Sequence, residues 1–247
     1  VLLLKLTLAP ALVAGVTLAG RRWGARVAGV LAALPVVAGP ILFFVALDEG
    51  RGFAARAAMG TLAGLLATIA FCLAHAWAAE RLSWPLTLAI GGGAVVAGLL
   101  VVGKLELGGG AAIVVALAIL TLALRLMPRP SPAEAVARPR WWDLPLRMLA
   151  TAGLVVAVTT SARLLGARWT GLLTPFPVAT SVLAVFAHAQ TGSSARLLRG
   201  LMTGLYGFIA FVVTIGATVE RWGWASFGVG VGVAIAVNVG LLARRAA

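Results

Sequence analysis

Most side chains in this sequence carry no reactive group, so the few that break or charge an apolar run stand out. Leu34-Pro35-Val36-Val37-Ala38-Gly39-Pro40 returns later in the chain as Phe176-Pro177-Val178-Ala179-Thr180-Ser181-Val182. Proline removes a backbone donor and clashes with the preceding turn, so each segment is expected to expose carbonyl groups near the middle of a helix. Broken helices at the midplane of paired repeats commonly form a substrate or ion site. A packing kink is the alternative, because neighbouring helices can satisfy the freed groups of a membrane proline. Gly39, Thr180 and Ser181 add modest polarity beside the breaks, and Pro40 follows within the first of them.

Arg56 and Arg196 each fall within the first turn or so of an expected helix. A cation there opposes the helix dipole. Beside free N–H groups a guanidinium makes an anion clamp, and its competing use is snorkelling to lipid phosphate. The second half of the chain is also more polar within its helices, with His188, Gln190, Tyr206 and Asn238 standing over mostly apolar counterparts; His188 replaces Ala46. An ionisable group inside a membrane is a candidate functional residue, and histidine titrates near neutral pH. His188 and His75 are both expected near helix ends, where solvent satisfies them, and two isolated histidines make no metal site. No acid is expected inside the membrane, which argues against carboxylate-based proton or sodium coupling. Gly-x-Ser-x-Gly, His-Glu-x-x-His and phosphate-loop motifs are absent, so no catalytic residue, cofactor or enzyme activity is expected. The candidate pathway residues are Pro35, Gly39, Pro40, Arg56, Pro177, Thr180, Ser181, His188, Arg196 and Tyr206.

The elements that must position these residues come from a chain written twice. At an offset of about 142, Arg21-x-x-Gly24-Ala25-Arg26-x-x-Gly29 returns as Arg163-x-x-Gly166-Ala167-Arg168-x-x-Gly171. The register then slips by two, and Ala55-Arg56, Gly60, Gly64, Ala70-Phe71, Glu80-Arg81 and Trp84 return as Ala195-Arg196, Gly200, Gly204, Ala210-Phe211, Glu220-Arg221 and Trp224. The Glu-Arg pairs with a nearby tryptophan read as anchors at the lipid surface. Gly60-x-x-x-Gly64 and Gly200-x-x-x-Gly204 read as packing motifs that let helices approach closely.

Of 247 residues, 62% are hydrophobic and 11% charged, and the mean hydropathy is +1.06. Soluble domains are about one quarter charged. Apolar stretches of roughly 18–25 residues follow one another, the length that crosses about 30 Å of hydrocarbon as a helix. Their hydrophobicity is continuous rather than alternating, as helices and not barrel strands require. The net charge of +13 sits singly or in pairs at expected helix ends, which is the pattern that sets topology and not the patch that binds nucleic acid. Cys72 is the only cysteine, so no intramolecular disulfide forms, and it is expected to pack as a small hydrophobe.

Nine crossings are expected, at about 2–20, 27–47, 53–79, 83–103, 108–127, 144–162, 169–189, 195–218 and 223–243. Residues 1–20 have the outline of a leader with Lys5 ahead of an apolar stretch, but they match 144–162, so they are expected to belong to the fold. Residues 1–103 form the first four-helix repeat and 144–247 the second, with 104–143 supplying an unmatched helix and a Pro/Arg-rich linker. One unmatched crossing turns the second repeat over, giving an all-α, 4+1+4 inverted repeat. Thirteen Lys or Arg on one side against seven on the other favour N-out, C-in. The strongly apolar part of the fifth helix, 111–124, is short for a crossing.

Arg168-Trp169-Thr170-Gly171-Leu172-Leu173-Thr174-Pro175-Phe176-Pro177, followed by Phe186-Ala187-His188 and Arg196-Leu197-Leu198-Arg199-Gly200, resembles the GlpM-type small inner-membrane proteins. Those are four-helix proteins of about half this length, linked with bacterial exopolysaccharide production. The resemblance covers roughly 144–243 and, more faintly, 2–103; the first copy departs from it with Leu34 for Phe176 and Ala46 for His188. The layout is also similar to that of fused dual-topology fluoride channels, without their Asn and Phe pore signature. The expectation is a multi-pass protein of the bacterial inner membrane, a transporter or channel for an anionic or lipid-linked envelope solute. The alternatives are a non-transporting subunit supporting envelope polysaccharide production and a lipid flippase or scramblase. Expected partners are the lipid bilayer, the solute, and a second copy or an envelope-biosynthesis protein.

Overall fold

The computed structural model describes residues 2–35, 38–104, 109–130, 141–165 and 177–243. All regular structure among them is helical: α1 (Leu2–Trp23), α2 (Ala25–Ala32), α3 (Ala38–Asp48), α4 (Arg51–Ala78), α5 (Trp84–Val102), α6 (Gly109–Leu126), α7 (Asp143–Leu165), α8 (Val178–Thr191), α9 (Ala195–Trp222) and α10 (Ala225–Ala243). The expected crossing at 27–47 is two helices, α2 and α3, parted at Pro35. The Gly39 N–H donates to the Pro35 carbonyl at 2.8 Å, so α3 restarts by using a group the break left free. The expected crossing at 169–189 is described only from Pro177 onward; Arg168 to Phe176 lie outside the described residues. Gly50 and Gly223 sit at φ 89° and 54° between consecutive helices, a backbone state that side-chain-bearing residues rarely adopt.

Five described helices, α4, α5, α6, α9 and α10, are long and apolar enough to cross a membrane, and α3 and α8 are shorter apolar helices. The chain is therefore a helical membrane protein. α6 has 18 residues, about 27 Å at 1.5 Å per residue, close to the hydrocarbon thickness.

α4 and α9, the copies of one another, pack together at the centre. They run in opposite directions. Gly216, late in α9, faces Met59 and Ala55 near the start of α4, while His75, late in α4, bonds to Ser194 just before α9. α1 and α7 also meet end to start, through Arg21 and Asp143. Within each copy the same contact recurs. Phe71 of α4 lies against Gly91 of α5, and Phe211 of α9 lies against Gly230 of α10; both rings are fully buried. These phenylalanines anchor the main core, which draws on α3, α4, α5, α6, α8, α9 and α10 and on the end of α2.

α2 lies on α9 so closely that side chains at the crossing are excluded. A Cβ on Gly29 would run into the Leu197 carbonyl, one on Gly200 into the Arg26 carbonyl, and one on Gly204 would lie 2.7 Å from the Val30 carbonyl oxygen. Small residues permit this approach, and close packing is what joins helices where lipid supplies no hydrophobic drive.

α6 runs alongside α4 from end to end. Gly109 is beside Met59 near the start of α4, and at the far end Trp77 Nε1 donates to the Leu126 carbonyl at 3.0 Å. Arg199 closes the same terminus, donating from Nε to the Pro128 carbonyl at 3.1 Å and from Nη2 to the Met127 carbonyl at 2.8 Å. Met59 and Arg199 hold equivalent places in the two copies, so one position grips both ends of the unmatched helix. Arg199→Met is expected to cost about 1–3 kcal/mol by leaving carbonyls unsatisfied. Hydrogen exchange should rise at the end of α6 and stay unchanged in α5; equal rises in both would reject the clamp.

Candidate functional site

The start of α9 defines one end of the bundle, and several polar side chains converge there. Asp143, the first residue of α7, is 2% exposed. One turn later on the same face, Arg147 donates from Nε to Asp143 Oδ1 at 3.0 Å. Arg21, closing α1, donates from Nη2 to Asp143 Oδ2 at 3.0 Å. Gln190 of α8 bonds to both partners: its amide Nε2 donates to Asp143 Oδ1, and its Oε1 accepts from Arg147 Nη2 at 3.0 Å. The Arg147 guanidinium also lies 4.7 Å from the centre of the Phe186 ring. Three helices are thereby tied through one carboxylate. Two guanidinium groups face that single acid, so the network keeps a surplus positive charge. Arg26, opening α2 at this end, has a buried Nη2 without a hydrogen-bond partner among the described residues.

Next to this network, His75 and His188 meet with ring centroids 6.2 Å apart. The sequence separates them and predicts each to be satisfied by solvent at a helix end. The structure differs. His75 is fully buried and His188 is 8% exposed, because α8 lies against α5 and the start of α9 and covers both rings. Asp143 is a second difference. The sequence ends the linker on it, whereas in the structure it opens α7 and is buried beside Arg147.

The other candidates divide between two places. Ala32 and Leu31, just ahead of Pro35, share a small apolar cluster with Ala179 and Val182, just after Pro177. The two proline segments therefore approach a common core. Pro35 and Gly39 are buried and Pro40 is half-buried, and on the side of the main core the ζ-carbon of Phe211 would lie 3.6 Å from a Cβ on Gly39. After Pro177, the Ser181 N–H and hydroxyl both donate to its carbonyl, at 2.8 and 2.9 Å, and Thr180 is buried alongside. Tyr206 stands apart, its hydroxyl 2.8 Å from Thr121 Oγ1 on α6.

Arg56 and Arg196 are not brought together. Each lies near the start of its helix, and α4 and α9 are antiparallel, so the two cations mark opposite ends of the bundle. α4 begins at Arg51, which puts Arg56 in its second turn instead of its first. Arg56 is exposed at a cavity of about 470 Å³ lined by Met59, Gly60 and Leu66 of α4, Gly109 and Ala112 of α6, and Gly216 of α9. Gly60 has open space over its α-carbon, unlike its copy Gly200 beneath α2. Residues 166–176, the copy of the α2 region, lie outside the described residues.

Sequence reasoning missed the Asp143–Arg147–Arg21–Gln190 network. The signal available was the spacing Asp143-x-x-x-Arg147, an i,i+4 acid–base pair at the start of an apolar run. Nothing local in the sequence points to Arg21 or Gln190 as partners. Among the described residues no group of three or more His, Cys, Asp or Glu converges on a metal-sized site. A helical membrane protein with charged groups gathered at both ends of a packed core is the class these features define. The chain matches no family model, no curated protein and no solved structure.

Proposed function

We propose that this chain is a transporter or channel of the bacterial inner membrane, passing an anionic or lipid-linked envelope solute between two inverted four-helix repeats. The observation that carries the reading is the antiparallel packing of the copies α4 and α9, with a surplus of cations at the end where α9 begins, Arg56 at a cavity at the other end, and a closed apolar centre between. Inverted repeats that rock about a central contact give alternating access. The full reading has nine crossings with the N-terminus outside. It is supported by the clustering of Arg21, Arg26, Arg81, Arg147, Arg196 and Arg199 at one end, where short loops would face the cytoplasm. Arg51, Arg56 and Arg221 lie at the other end with Asp48, Glu49 and Glu220. The path of α6 alongside the whole of α4 supports counting it as a crossing. The excess cation at the basic end and the exposed guanidinium of Arg56 at the cavity favour a negatively charged cargo.

The test is flux in proteoliposomes. Arg56→Ala is expected to lower passage of an anionic solute at least about tenfold, the loss of one charge-assisted hydrogen bond in the rate-limiting state, while Arg56→Lys keeps most of it. Equal flux in wild type and Arg56→Ala would reject the anion assignment.

A second reading, a non-transporting subunit of an envelope polysaccharide assembly, is favoured by the dry, glycine-packed crossing of α2 and α9 beside Pro35. The resemblance of 144–243 to GlpM-type proteins supports it too. Wild-type vesicles that pass neither anions nor lipids would select this reading. Movement of a fluorescent lipid between leaflets, without anion flux, would select a flippase or scramblase using the cavity between α4 and α6.

A further inference from the structure

We propose that His75 and His188 form a proton-binding site between the repeats, holding one bridging water and sharing a single proton taken up from the basic end. The site does not depend on what the protein carries. It rests on four observations. The two rings come from different copies, α4 and α8, and lie 6.2 Å apart at 81°. His75 Nδ1 is hydrogen-bonded to Ser194 Oγ at 3.0 Å, which fixes that ring and leaves Nε2 as its remaining polar atom. His75 Nε2 and His188 Nδ1 are both buried without a partner among the described residues. His188, at 8% exposure, is the less enclosed of the two and stands nearer the polar network.

Buried polar groups in native proteins are almost always satisfied, by protein or by ordered water. With ring centroids 6.2 Å apart, one nitrogen of each imidazole can come within the span of roughly 5–6 Å that a single water bridges. Through that water an excess proton is held by both imidazoles at once. A second proton is opposed by the charge of the first in a medium of low dielectric, so the pair behaves as one site.

The neighbouring charges fit this assignment. α5 presents Gly91 to His75 and carries no titratable residue. From α4, Phe71 closes the inner side of the His75 ring, and Glu80 and Arg81 follow the end of the helix. From α8 and α7, Gln190, Asp143 and Arg147 are bonded to each other, so their polar atoms are already engaged. Arg21 of α1 is engaged with the same carboxylate. α9 contributes Ser194 at its cap, with Arg196 and Arg199 in its first turns. On the inner side the fully buried Phe71 lies against the His75 ring and separates the pair from the rest of the core.

The chain has two histidines, so selective ¹⁵N-histidine labelling in lipid bilayers reports on this pair alone. Between about pH 8 and pH 3, both rings are expected to shift in one shared transition with an uptake of about one proton per chain. His188→Gln should remove that transition and leave His75 neutral throughout. Ser194→Ala, which leaves both rings in place, should move the transition while keeping its shared character. Two independent transitions, each ending in a fully protonated ring, would overturn the proposal, as would the absence of any transition. Matched shifts on adding one equivalent of zinc, with none on acidification, would also overturn it and assign a metal site.

Discussion

Gly200→Ala should destabilise the protein by about 3 kcal/mol, while Gly60→Ala, the same substitution in the other copy, should change stability by less than about 0.5 kcal/mol. At Gly200 the new methyl group meets the Arg26 carbonyl, which is backbone and has no rotamer to yield. α2 must lift off α9, and the Gly29 and Gly204 contacts go with it. At Gly60 the methyl group enters open space. The helix-favouring effect of alanine over glycine then offsets part of any loss. Thermal unfolding in detergent reads the difference, on the order of 6–12 °C for a chain of this size. Equal shifts in the two variants would mean that α2 and α9 do not cross at these glycines.

Asp143→Ala is expected to cost about 3–5 kcal/mol, because it leaves the Arg147 guanidinium buried and uncompensated. The Arg147 side chain is 9% exposed and that of Asp143 3%, so solvent does little to soften the loss. Arg21, at 32% side-chain exposure, is different: Arg21→Ala should cost less than about 1 kcal/mol. The decisive measurement is the double variant. Asp143→Ala with Arg147→Met removes both charges and leaves a packed thioether, and should recover much of the stability of the single variant. Additive losses, measured by denaturant unfolding of the purified protein, would show that the two residues do not act as a pair.

What the sequence discloses follows from what is local or repeated. Apolar run length placed nearly every described helix to within a few residues, since hydrocarbon thickness sets that length directly. The offset between copies pointed to Phe71 and Phe211, and to the paired glycines, as equivalent positions. It did not show that equivalent glycines have unlike surroundings. Gly200 is covered by a neighbouring backbone and Gly60 borders a cavity, and that depends on which helix lies across each one. The proline segments were legible as breaks from their chemistry, and the structure adds that they approach one core. The polar sites were the least legible. Asp143 and Gln190 lie 47 positions apart, and His75 and His188 lie in different copies. Nothing in periodicity or composition selects such partners. Arg56 and Arg196 looked like a matched pair because they occupy matched positions. Antiparallel copies send matched positions to opposite ends, so the repeat itself keeps them apart.

The unequal fastening of α6 also has a mechanical consequence. Its Leu126 end is held by three hydrogen bonds, from Trp77 and Arg199, while its Gly109 end lies beside the Met59 methyl group and packs Ala112 and Ile113 against the core by dispersion contact. A rod pinned at one tip swings at the other. Thermal energy will therefore displace the Gly109 tip first, with the pivot beside Met127. That tip borders the 470 Å³ cavity, so the lever widens or narrows the space around Arg56 while the far rim stays still.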